Sequence, residues 1–425
     1  MELARVTPAH LEPVSSHERL DLVDIVRGFA LFGVLLANLV WTTTDELLTD
    51  VRLSQLPTAP VDRIVKPLVV FFIDHKFITL FSFLFGLGFA IQLSRARDRG
   101  RDVVAIYARR LSILAIIGVL HVAVLWFGDI LLIYAVTGFG LLVVRRFNGG
   151  VLIILALVLT LLPSVATGLY PRMTGGSAQA EASAQADDDA DKERRLAIFD
   201  GESYMAIARD DISHFFGDML SRGVALTIVP LVFARFIFGL YVGRRNWPQR
   251  TANLLPVLWR LLPWAAVVGV LGTTVSVLRE HLQHTQALRP DSLWVTVTAP
   301  IEEIGVLTMS FSYLSVLVLL FHRSVTWRRR LGHLAPVGRM ALTNYLTQSL
   351  LYLLLFSGVG FGLYGEVGPA ICVLFAILIF SAQLVLSRWW LARYRFGPAE
   401  WLWRTLTYGQ LQPMRPVGVA MDRPK

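Results

Sequence analysis

The stretch Gly118-Val-Leu-His121-Val-Ala-Val-Leu-Trp126-Phe-Gly128-Asp129-Ile-Leu-Leu-Ile-Tyr134 decides how the chain is read. Apolar residues run on both sides of it, and a histidine, a tryptophan, a glycine and an aspartate interrupt them. One helix is expected to end near Trp126 and the next to begin near Asp129. Two ionisable groups then sit at a tight turn between two membrane spans. Asp129 has the position of an N-cap. His121 lies about a turn and a half before the turn. It reads either as a buried neutral histidine bonded to a carbonyl or as a general base, which needs an acceptor hydroxyl or amine within reach.

The rest of the chain supports a membrane setting. Of 425 residues, 55% are hydrophobic and 17% charged, against about 25% charged in soluble domains. Apolar runs of about 20 residues match a ~30 Å hydrocarbon core. They fall at residues 25–43, 67–93, 107–126, 129–144, 150–170, 213–242, 255–278, 300–321, 334–356 and 367–390. The expected fold is an all-α polytopic transmembrane helix bundle of about ten spans. The single cysteine, Cys372, lies in such a run and excludes an intramolecular disulfide. Residues 1–20 are mostly polar and do not read as a cleavable signal.

Charge gives the orientation. Arg95, Arg97, Arg99, Arg101, Arg109 and Arg110 follow the second span, and Arg145 and Arg146 the fourth. Arg244, Arg245 and Arg250 follow the sixth, Arg323 and Arg328 to Arg330 the eighth, and Arg393, Arg395 and Arg404 the tenth. Every even-numbered exit is basic, which places both termini in the cytoplasm. The net charge of +9 is thus assigned to cytoplasmic loops, with no nucleic-acid partner. Residues 1–23 read as an N-terminal tail, 24–394 as the membrane domain and 395–425 as a C-terminal tail. The long external loop 171–210 is of low complexity at its centre and is expected to be flexible.

Ionisable groups inside spans cost several kcal/mol unless paired or wet, so they are site candidates. Asp21, Asp24 and Arg27 open the first span, spaced by three residues. Asn38 is eleven residues beyond Arg27, about 16 Å along nearly the same face. Asp74, His75 and Lys76 are adjacent in the second span and point around most of a helix. Glu302 and Glu303 follow Pro300, where carboxylates also suit a helix dipole. Arg339 is placed to bind a phosphate, near Asn344 and Gln348. Gly239 and Gly243 have the spacing of helix packing. By this topology Asn38, Asp74, His75, Lys76, His121, Asp129, Glu302 and Glu303 fall in the external half, and Arg27, Arg109, Arg110 and Arg339 at the cytoplasmic face.

Several segments resemble the YeiB-like family of bacterial membrane proteins. They are Asp24-Ile-Val-Arg27-Gly28 to Asn38, Lys76-Phe77 to Gly86, Arg109-Arg110-Leu111 with Gly118 to Asp129, Gly338-Arg339 to Ser349, and Gly397-Pro398-Ala-Glu400 to Gly409. That family is similar, through its first spans, to a superfamily of transmembrane acyltransferases that includes the lysosomal heparan-glucosaminide acetyltransferases. The resemblance implies an acyl-CoA donor, typically acetyl-CoA, entering from the cytoplasm, and an acceptor at the far face such as an envelope glycan, lipid or small molecule. Asn38 matches the asparagine of the heparan enzymes' first span. Those enzymes carry a catalytic histidine in the following loop, and residues 40–66 here hold none. His121, and after it His75, would take the base role.

The leading expectation is a membrane-embedded acyltransferase of the bacterial cytoplasmic membrane. Arg27, Arg109, Arg110, Arg339 and Asn344 would hold the donor, and Asn38 or Lys76 the oxyanion. Asp74, Glu302 and Glu303 complete the catalytic candidates. No metal is expected. Membrane lipids and the acceptor are the partners, and a homo-oligomer is left open. A transporter or flippase, or a non-enzymatic envelope scaffold, are the rival readings.

Overall fold

Helix follows helix along the whole of the computed structural model, which describes residues 21–415 except 45, 99–103, 174–177, 221–223, 285–286 and 290–291. The chain runs through α1 (Asp21–Thr44), α2 (Asp50–Gln55), α3 (Ala59–Phe72), α4 (Lys76–Asp98), α5 (Val104–Val124), α6 (Leu131–Val144), α7 (Gly149–Met173), α8 (Ala178–Asp200) and α9 (Tyr204–Leu220). It continues through α10 (Val224–Arg244), α11 (Thr251–His284), α12 (Leu293–Arg323), α13 (Val325–Gly332), α14 (Ala335–Arg339), α15 (Ala341–Phe356), α16 (Pro369–Leu391) and α17 (Pro398–Tyr408). Eight helical stretches are long and apolar enough to cross a membrane. Two shorter apolar helices, α6 and α15, stand at the expected fourth and ninth spans. The protein is an all-α, multi-pass membrane protein. Its outer surface exposes Trp259, Trp264, Leu271 and Val143, as a lipid-facing surface allows.

With lipid as apolar as the helices, close backbone approach holds such a bundle together. A Cβ on Gly86 of α4 would overlap the carbonyl of Phe236 on α10, and one on Gly239 the carbonyl of Phe83. The predicted packing role of Gly239 and Gly243 is therefore observed. A second reciprocal pair joins α1 to α14: Gly28 abuts Leu334 O, and Gly338 abuts Asp24 O. Arg27 and Arg339, each next in sequence to one of these glycines, line the same cavity. Replacing Gly338 with alanine is expected to destabilise the fold by about 1–3 kcal/mol through overpacking. A thermal-unfolding midpoint equal to wild type would contradict it.

Three local expectations are corrected. Residues 67–93 are not one helix. The chain turns at residues 73–75, with His75 at φ 57°. Asp74 N bonds to Val69 O, so Val70 O lacks its usual partner, and Lys76 Nζ donates to it at 2.6 Å. The span expected over 213–242 is shortened: the described helix apolar enough to cross is Ala225–Arg244, and residues 213–220 belong to α9. The central part of loop 171–210, read from its low complexity as irregular chain, is helix α8. Its repeated alanines are strong helix formers. Lys192 to Asp188 at 2.9 Å, four residues apart, adds side-chain support. Most of the expected terminal tails (residues 1–20 and 416–425), with Arg99 and Arg101 of the basic exits, lie outside the described residues. Within the expected C-terminal tail, Pro398–Tyr408 is helical, as α17.

Candidate functional site

A chamber of about 610 Å³ runs through the bundle, walled by α1, α4, α5, α6, α9, α15 and α17. Its size suits a ligand pocket, for which about 300–1,000 Å³ is usual. One end is basic. Arg27, Arg95, Arg110, Arg339, Arg395 and Arg404 line it. Arg27 pairs with Asp24 at 2.9 Å. The Arg110 guanidinium stacks 4.1 Å from the Trp403 ring. Arg339 Nε is buried without a hydrogen-bond partner.

Helix α17 forms the floor of this end. Trp403 Nε1 donates to Arg110 O at 2.9 Å, and Arg109 donates to Thr407 O at 3.5 Å. Glu400 accepts from Leu342 N at 2.7 Å and Thr343 N at 3.1 Å, so it caps the first turn of α15 from another helix. Burial pushes the Glu400 carboxyl above its usual range, against these donors. Arg109 does not line the chamber. Neither does Asn344, whose Nδ2 donates to Val337 O and Ser387 Oγ at 3.2 and 3.0 Å, as a helix tie would.

The opposite end is lined by Asn38, Trp41, Glu46, Asp74, His75, Asp129 and His214, among others. His75 and Asp74 pair at 3.2 Å. Glu46 and His214 were not singled out from the sequence. His214 Nε2 lies 3.1 Å from Glu46 Oε2 and 2.9 Å from Arg195 Nη1. Arg195 is 1% exposed. It reaches Asp210 at 3.0 Å and Glu46 at 3.4 Å, and lies 4.5 Å over Phe127. Beside it, burial raises the Asp211 carboxyl well above its usual range, with Arg195 opposing. The four-residue spacing of Asp210 and His214 was the available sequence signal, since it places both on one helix face.

Three candidates lie elsewhere. Lys76 is bound to the Val70 carbonyl and is 2% exposed. Glu302 forms a fork with Arg279 at 2.6 and 2.7 Å, and Glu303 pairs with Arg235. These two glutamates tie α12 to α11 and α10. None of the three lines the chamber.

His121 and Asp129 meet as their spacing suggested. His121 Nδ1 lies 3.0 Å from Asp129 Oδ2, both side chains being 0% exposed. The contact is close without being aligned as a hydrogen bond. Asp129 Oδ1 accepts from Leu132 N at 2.7 Å, so it holds the first turn of α6 from one residue before the N-cap, Ile130. The other face of the imidazole was unforeseen. His121 Nε2 is 2.8 Å from Ser349 Oγ on α15. Tyr345 packs on the imidazole at 5.1 Å and Trp126 at 6.4 Å. Asp129, Trp126 and Tyr345 line the chamber; His121 stands behind them.

A family described as "Protein of unknown function (DUF418)" matches residues 242–410. The chain is 33% identical over 424 residues to the "Uncharacterized protein YxaH" of Bacillus subtilis (strain 168), covering 95% of this chain and 98% of that one. It is 27% identical over 404 residues to the "Uncharacterized 39.9 kDa protein in amylase 3'region" of Bacillus acidopullulyticus, covering 95% and 98%. The "Uncharacterized protein YeiB" of Escherichia coli (strain K12) is 27% identical over 415 residues, with 92% and 96% covered. No solved structure matches the chain.

Proposed function

The chain belongs to the YeiB-like family of multi-pass membrane proteins, and we propose that it is an acyltransferase of the bacterial cytoplasmic membrane. It moves an acyl group, acetyl in the simplest case, from acyl-CoA to an acceptor at the external face. The observation that carries this reading is the two-ended chamber: guanidinium groups at one end, histidines and carboxylates at the other. The alternation of basic exits assigns the arginine end to the cytoplasm. There Arg27, Arg110 and Arg339 receive the phosphates of CoA, with Arg95, Arg395 and Arg404 around them. Guanidinium forks suit phosphate oxygens. Arg339 offers a buried N–H without a partner. Trp403 provides a flat surface on which the adenine can stack. The acceptor arrives at the far end, beside Glu46 and His214.

The test is calorimetric titration of acetyl-CoA into the protein in lipid nanodiscs. Binding should weaken with salt, and pantetheine, which lacks the nucleotide, should bind far less well. Arg339→Ala should weaken binding by about tenfold to a hundredfold, the loss of one or two charge-assisted hydrogen bonds. Absence of CoA binding, together with pH-driven flux of a solute through liposomes, would replace this reading with that of a transporter.

A further inference from the structure

Resting on the acyl-transfer reading above, we propose that Ser349 is a nucleophile which carries the acyl group as an ester between donor and acceptor, activated by His121 and positioned through Asp129. Serine, histidine and aspartate stand in the order such a relay needs. Ser349 Oγ is 2.8 Å from His121 Nε2, and His121 Nδ1 is 3.0 Å from Asp129 Oδ2. This constellation is recognised by geometry and roles, whatever the fold or chain order. Ser349 Oγ also has Tyr345 O as an acceptor at 3.3 Å, one turn back on its own helix, and its single proton turns from that carbonyl to His121 Nε2 for the relay to act.

Beside Ser349 lies a recess of about 10 Å³, lined also by Leu35, Asn38, Trp126, Gln348 and Tyr352. That is room for about one water-sized atom, and hence for one oxyanion. Trp126 is 3% exposed, and its Nε1–H has no acceptor. An orphaned donor in an apolar setting is costly unless something takes its hydrogen bond. A developing thioester oxyanion is such a group. Asn38 also lines the recess, and its side-chain amide is a second N–H donor there. Asn38, Trp126 and Tyr345 line both recess and chamber, so the acyl group reaches Ser349 through this shared wall, past the Tyr345 ring, with the Trp126 and Asn38 donors kept in place.

The step balances as follows. Ser349 Oγ bonds to the thioester carbon while its proton passes to His121 Nε2. Collapse of the tetrahedral intermediate breaks the C–S bond, and the CoA sulfur leaves with that proton as a thiol. An acceptor hydroxyl or amine then attacks the serine ester, giving its proton to Nε2. The C–Oγ bond breaks and Ser349 recovers the proton. Donor and acceptor need never be bound together.

The experiment uses the full chain in nanodiscs with acetyl-CoA and no acceptor, quenched in acid and read by intact mass and peptide mapping. Wild type should carry one acetyl group on Ser349 and release one equivalent of free thiol. Ser349→Ala should lose both while still binding acetyl-CoA. Ser349→Cys, should the alanine variant fail to fold, should carry the acetyl as a thioester cleaved by neutral hydroxylamine. Acetyl label and thiol release from Ser349→Ala at the wild-type yield, or label on another residue, overturns the serine and leaves the acyltransferase standing. A wild type that neither binds nor consumes acetyl-CoA overturns both.

Discussion

Asp129→Asn should leave the protein folded and reduce acyl transfer by about four orders of magnitude, as the same change does in other Ser–His–Asp relays. The two carboxylate oxygens have separate tasks. Oδ1 accepts from Leu132 N and starts α6. Oδ2 faces His121 Nδ1. Asparagine is as good a cap as aspartate, so its carbonyl keeps the first contact. Its NH₂ group then faces Nδ1 and asks that nitrogen to accept. The imidazole proton moves to Nε2, which can no longer take the proton of Ser349. An equal thermal-unfolding midpoint with lost turnover and an altered pH–rate profile separates this from loss of structure. Asparagine activity within tenfold of wild type would mean that Asp129 is a helix cap and nothing more.

The second large effect concerns stability. Arg195→Met should cost about 3–5 kcal/mol, the range for removing one partner of a buried ion pair. Arg195 is 1% exposed and is shared by Asp210, Glu46 and His214. Without it, a buried carboxylate 4% exposed loses its closest inner cation. The neighbouring Arg194 is the control. Its side chain is 55% exposed, though it too touches Asp210, at 3.0 Å. Arg194→Met should change stability by about 0–1 kcal/mol, as solvent screens the pair. Chemical unfolding in detergent, followed by tryptophan fluorescence, reads both. Similar costs for the two would show that burial at Arg195 carries no extra weight.

Much of the scaffold was legible because lipid imposes simple rules. A span must be apolar over its length, and helices that approach closely must carry small residues, so hydropathy found the bundle and Gly239 its packing partner. The pair His121 and Asp129 was legible because eight residues and one turn separate them. Ser349 was not, since it comes from 228 residues further on and an interior serine in an apolar helix normally bonds its own backbone. Glu302 and Glu303 misled for the opposite reason. Their charge was visible, while their partners Arg279 and Arg235 lay on other helices. Lys76 likewise was read on an unbroken helix, and the turn at residues 73–75 gave it a carbonyl instead. Composition misread α8, where alanine-rich low complexity meant helix.

The clasp between α17 and the bundle changes how the chain's end is to be handled. Sequence alone makes it a tail beyond the last span, the part first discarded when a membrane protein is trimmed. Cutting before Pro398 would strip Trp403, Arg404, Thr407 and Tyr408 from the chamber wall. It would also take from the Arg110 carbonyl its second donor, Trp403 Nε1, and leave the first N–H groups of α15 without the Glu400 carboxylate. A protein shortened to its spans would keep its membrane helices and lose the floor of the chamber's basic end.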